Sequence, residues 1–115
     1  MACVSKVINH YFAGNMTVGV CQSVSGSDVN TSITCEGGSI SIQGQFDWTM
    51  KLQRRNTDGS TWATIGTRTG YVNPSSKSNR SFTNITASTR PLRLNVVLND
   101  GQKNTTINSS NFTRN

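Results

Sequence analysis

The chain has 115 residues, enough for one domain and too few for two independent cores. Only 33% of residues are hydrophobic and 14% charged, while 15 Ser, 15 Thr and 13 Asn carry the solubility; that balance disfavours helical architectures. Eleven Lys and Arg against five acids give a net charge of +6, spread along the chain, so a polybasic tail for nucleic acid or membrane is excluded.

In chain order, the first strand candidates are Val4 to Phe12, Met16 to Val24, Val29 to Cys35 and Ser39 to Ile42. They are separated by turn clusters at Gly14-Asn15, Ser25 to Asp28 and Glu36 to Gly38. The clearest signal follows. Phe46, Trp48, Met50 and Leu52 alternate with Asp47, Thr49, Lys51 and Gln53, which predicts a strand with its aromatics and aliphatics on the core. Asp58-Gly59 then reverses the chain into a strand over Thr61 to Arg68. There the odd spacing of Trp62 and Ile65 predicts a bulge or a residue buried on the other face. Arg80 to Thr86 is a weaker candidate. Leu92, Leu94, Val96 and Leu98 define another strand, closed by Asn99-Asp100-Gly101, and Lys103 to Ile107 follows it. The tail from Gly101 holds Ile107 and Phe112 as its sizeable apolar groups and is expected as an edge strand.

Eight or nine short strands with turns between them predict an all-β chain, a two-sheet antiparallel sandwich of jelly-roll type. Residues 1–12 read as an N-terminal connector or first strand, and residues 13–115 as the sandwich domain. No stretch approaches the roughly 20 apolar residues of a membrane span, and the N-terminus lacks the pattern of a secretory signal, so export by removal of a signal or by another route is expected.

The parts of an active site are scarce. His10 is the only histidine, it shares strand parity with Ile8 and Phe12, and the nearest acid in sequence is Asp28. Three of the five acids sit in turns, and neither zinc-type spacing nor a phosphate loop occurs, so no catalysis, cofactor or metal is expected. Seven Asn-x-Ser/Thr triplets, from Asn15 to Asn111, exceed only modestly the about 3 that this composition gives by chance. Trp62 and Tyr71 with Arg54, Arg55 and Arg68 form a candidate ligand face for a glycan or an anionic surface. Trp48 reads as core.

The three cysteines, Cys3, Cys21 and Cys35, leave one sulfur over in any monomer. Cys3–Cys21, Cys3–Cys35 and Cys21–Cys35 are all open, within or between chains. Cys21 has the parity opposite to Met16, Val18 and Val20 and should face outward.

The opening Met1-Ala2-Cys3, the short leader, Cys21 in the first strands and the succession of Thr-rich strands resemble the endospore appendage subunits of spore-forming bacteria. The resemblance implies a jelly-roll subunit without a classical signal peptide, which bonds through N-terminal connector cysteines to copies in the next layer of a fibre. This chain departs from the pattern, because Cys3 stands alone where better-known members carry adjacent cysteines. The resemblance then implies fewer cross-links, from Cys3 to Cys21 or Cys35 of a neighbour. The expectation is a self-assembling, extracellular or spore-surface structural protein whose partners are its own copies. The competing expectation is a small secreted binding or antimicrobial module, with Cys21 and Cys35 paired internally.

Overall fold

The computed structural model describes residues 2–37 and 44–114. The described residues form nine strands: β1 (Ala2–His10), β2 (Gly14–Ser25), β3 (Asp28–Gly37), β4 (Phe46–Arg55), β5 (Trp62–Val72), β6 (Ser78–Phe82), β7 (Ser88–Asn99), β8 (Asn104–Asn108) and β9 (Phe112–Arg114). The strand expected at Ser39 to Ile42 lies outside the described residues.

The strands form two antiparallel sheets with the orders β1-β2-β3-β6 and β5-β4-β7-β8, and β9 pairs with β7. The sandwich is therefore present. Its wiring is a β1–β2–β3 meander with β4–β5 and β7–β8 hairpins, while β3 pairs with β6 and β4 with β7 across longer stretches of chain. The chain changes sheets between β3 and β4, β5 and β6, and β6 and β7. Among the described residues no helix is long and apolar enough to cross a membrane.

Period-two alternation builds the core between the sheets. From β4 come Phe46, Trp48, Met50 and Leu52, and from β7 Leu92, Leu94, Val96 and Leu98; β2 and β3 answer with Met16, Val18, Val20, Val29 and Ile33. Two turns are closed by Asp-Gly pairs, with Gly59 at φ 75° and Gly101 at φ 107°, where a side chain would be strained. Asp58 anchors the first of these turns by accepting the N–H groups of Ser60 and Thr61 at 2.9 and 3.0 Å. Those bonds, the Ser60 N–H foremost, lower its pKa to about 2. The expected bulge is real. Leu52 lies opposite Gly66 but Gln53 opposite Thr64, so Ile65 is the extra residue and stands out on the surface.

One feature of β5 sets the spacing of the sheets. Its core-facing positions opposite Leu52 and Trp48 are Gly66 and Gly70. A Cβ on Gly66 would lie 2.8 Å from the Phe82 ring, and one on Gly70 would lie 2.6 Å from the Trp48 ring. The missing side chains admit those rings. Trp48 Nε1 then donates to Ser78 Oγ at 3.1 Å, and Ser78 Oγ donates to the Tyr71 carbonyl, tying β4, β5 and β6 together. Gly70→Val should therefore cost about 1–3 kcal/mol by overpacking, and Trp48→Ala about 3–5 kcal/mol by cavity formation. Urea unfolding curves of the two variants, read at constant m-value, check both.

Candidate functional site

Open sheets leave a row of unpaired backbone groups at each edge, and the two sides of this sandwich treat theirs differently. On the side formed by β5 and β6, two arginines lie across the gap between the sheets. Arg68, from β5, places its guanidinium 4.6 Å from the centre of the Phe82 ring and donates to the carbonyls of Thr67 at 2.9 Å and Ser81 at 3.2 Å. Arg80, from β6, sits 5.2 Å from the Trp48 ring and donates to the carbonyls of Asn79 at 2.8 Å and Thr69 at 3.4 Å. Each arginine thus bonds its own strand and the strand of the facing sheet. That rim is closed.

The opposite side carries β1 and β8. Among the described residues β1 pairs only with β2, and Cys3 lies directly across from Cys21 with their Cα atoms 4.0 Å apart. So close an approach marks a pair without mutual backbone hydrogen bonds. By alternation the N–H and C=O groups of Cys3, Ser5, Val7 and Asn9 point away from β2, along the free edge. Val7 is 61% exposed on this strand, and Tyr11 and Phe12, in the turn that follows it, are 51% and 45% exposed. This is an open edge with apolar surface beside it.

The cysteines divide differently from the fibre expectation. Cys3 and Cys21 are bonded to each other within one chain, on the outward parity expected for Cys21, and fix β1 to β2 at its first turnless end. Cys35 is buried as a thiol on β3, and burial, with Glu36 beside it, pushes its pKa up to about 11. A bond from Cys3 or Cys21 to a neighbouring copy would require this pair to exchange. Cys35 should resist alkylation at neutral pH in the native protein and react fully once unfolded; mass-spectrometric counting of iodoacetamide adducts reads this directly.

His10 is structural. It is buried against Phe46, with ring centres 5.1 Å apart; its Nε2 donates to the Gln45 carbonyl at 3.0 Å, and its Nδ1 accepts the Phe12 N–H at 3.4 Å. The hairpin turn that it supports is clasped to the other sheet by buried Asp100. That carboxylate accepts the N–H of Tyr11 at 3.1 Å and those of Gln102 and Lys103, each at 2.9 Å. Burial works against its ionisation, but the N–H groups of Lys103, Gln102 and Tyr11, with nearby His10, outweigh it and hold the carboxyl below its usual range. The clasp therefore contributes its full stability above the unfolded aspartate pKa of about 3.9 and loses it as pH falls through the lower folded value. Asp100→Asn should be less stable than wild type at neutral pH, with the gap narrowing under acid; urea midpoints across that range test the sign.

The expected ligand face does not come together as one surface. Tyr71 lies nine positions along β5 from Trp62, roughly 30 Å at strand rise, beside an open cleft of about 210 Å³ lined also by Ser76, Lys77, Ser78 and Arg80. Arg68 belongs to the closed rim. Trp62 and Arg55 do meet, at 4.7 Å, and Arg93 of β7 joins them at 4.4 Å from the same ring. Sequence reasoning missed Arg93, although its parity, opposite to Leu92 and Leu94, aims it at this outer face. Arg54 has the opposite parity, is only 8% exposed, and donates from Nη2 to the Thr86 carbonyl at 2.7 Å.

No family model, no curated protein and no solved structure matches this chain.

Proposed function

We propose that the protein is a structural subunit that joins copies of itself through the β1 edge, outside the cell. The observation that carries this reading is the asymmetry of the sandwich: arginines cap the carbonyls of one rim, while the other leaves β1 unpaired beside exposed Val7, Tyr11 and Phe12. An incoming strand would satisfy the free backbone groups of Ser5, Val7 and Asn9 and cover the apolar side chains. β8, which among the described residues pairs only with β7, offers a second edge on the same side. Pairing of β1 in one copy with β8 in the next is a head-to-tail contact, which builds a fibre when the rotation does not close and a ring when it does.

In this reading the Cys3–Cys21 bond holds the edge strand in place as a template, and cohesion between copies comes from backbone pairing. A disulfide also fits an oxidising compartment, which supports an extracellular location. A spore-surface appendage is the particular form that the sequence resemblance implies.

Sedimentation velocity of the oxidised protein over a concentration series tests the reading, with negative-stain microscopy of the fast species. Wild type should form species heavier than 12.5 kDa. Val7→Lys, which puts a charge on the edge, and Ser5→Pro, which removes an outward N–H, should both stay monomeric. Asn79→Pro on the closed rim should assemble like wild type. A wild-type protein that remains monomeric at the highest concentration overturns the proposal.

A further inference from the structure

At the end of the sandwich where β4 finishes and β7 begins, arginines gather, while Asp58 in the adjoining β4–β5 turn has its carboxylate engaged by Ser60 and Thr61. Arg54 and Arg55 end β4, Arg90 and Arg93 lie in the first half of β7, and Arg114 ends β9. Arg90 Nη1 donates to the Arg55 carbonyl at 3.2 Å, which draws the two strands' cations together. The neighbouring charges that act on Arg54 are those of Arg90 and Arg114, and the one acting on Arg93 is that of Arg55. Every one of these influences is repulsive. The Nε–H groups of Arg54 and Arg55 are, moreover, shielded from solvent and meet no acceptor among the described residues. Like charges held together form an arrangement whose cost an anion would relieve.

The chemistry of the site narrows the anion. Trp62 would serve a sugar ring or a nucleobase only through a free face, but guanidiniums of Arg55 and Arg93 already lie against its ring. What the outer face presents is a pair of planar forks braced on an indole. Arg93 Nε is further committed to Gln53 Oε1 at 2.8 Å, which fixes the direction of its remaining donors. Braced guanidinium forks match the paired oxygens of tetrahedral oxyanions better than a single point charge does. The cations occupy both the outer face of the sheet and the mouth between the sheets, so several oxyanions can be held at once.

We propose that this arginine end is a docking site for a polyanion carrying phosphate groups in series, such as the phosphodiester chain of a cell-surface polymer. Arg55 and Arg93 take one phosphate beside Trp62, and Arg90 takes the next at the mouth. The site lies away from the β1 edge. A subunit assembled through β1 would keep it free to attach the assembly to a phosphate-rich surface.

Titration of the full chain with long-chain polyphosphate, followed by ¹H–¹⁵N NMR, tests the site. The Trp62 indole and the arginine Nε–H signals should shift, with Trp48 unchanged. The double variant Arg55→Gln with Arg93→Gln, half-buried on the outer face and outside the core, should bind at least about tenfold more weakly. Lys77→Gln with Lys103→Gln, an equal loss of charge at the far end, should bind within about twofold of wild type. Equal weakening in both pairs would mean diffuse attraction and overturns the proposal, as does the absence of any Trp62 shift. Tighter binding of heparin than of polyphosphate, at equal ionic strength, overturns the assignment to phosphate. Tighter binding of single-stranded DNA also overturns it, because that preference requires a bare indole face.

Discussion

What becomes of the backbone groups at the sheet edges governs the behaviour of this molecule. Two flat sheets in contact bury their inner faces well, yet each keeps two outer strands whose N–H and C=O groups need partners. Between β5 and β6 four of the carbonyls are met inside the chain, because Arg68 and Arg80 reach across the gap in opposite directions and each bonds carbonyls of both strands. The same guanidiniums cover the Phe82 and Trp48 rings, so closing the rim and sealing the core are one act. Gly66 and Gly70 make it sterically feasible by leaving room for those rings under β5. Among the described residues no arginine of β1 caps its outward carbonyls. Lys6, which shares the core-facing parity of Val4 and Ile8 yet remains exposed, is the one Lys or Arg of that strand.

The disulfide and the Asp100 clasp act on that same open side. Cys3–Cys21 pins the start of β1, and Asp100 holds the Tyr11 end of the hairpin to the β7–β8 turn of the other sheet. An edge strand fixed at both ends loses little conformational entropy when a partner strand arrives, which is what a pairing template requires. Covalent cross-linking by these sulfurs and a fixed template are alternative uses of one pair of atoms, and the intrachain bond belongs to the second.

Charge is distributed with comparable asymmetry. Arg68 and Arg80 spend their donors on carbonyls, whereas Arg54, Arg55, Arg90 and Arg93 crowd one end with like-signed neighbours. The net charge of +6 is therefore not a uniform coat. Part of it is internal wiring, and part is concentrated where β4, β7 and β9 converge.

Much of the fold was legible because strand periodicity is a local property. Phe46 to Leu52 and Leu92 to Leu98 announce buried faces by parity alone, the Asp-Gly pairs announce turns by backbone sterics, and the spacing of Trp62 and Ile65 announces the bulge. Composition likewise settled the all-β class, since chains rich in Thr, Ser and Asn and poor in helix formers have few other ways to bury a core. Partnership between strands was not legible, because pairing depends on which sheet each crossover enters, and that is decided by packing over the whole chain. Hence Cys3 opposite Cys21, Arg68 and Arg80 across the β5–β6 gap, and Arg93 beside Trp62 emerged only from tertiary structure. The sequence by itself determined which residues face inward; the three-dimensional arrangement decided which edges stay open and which cations meet, because those contacts join residues distant in the chain.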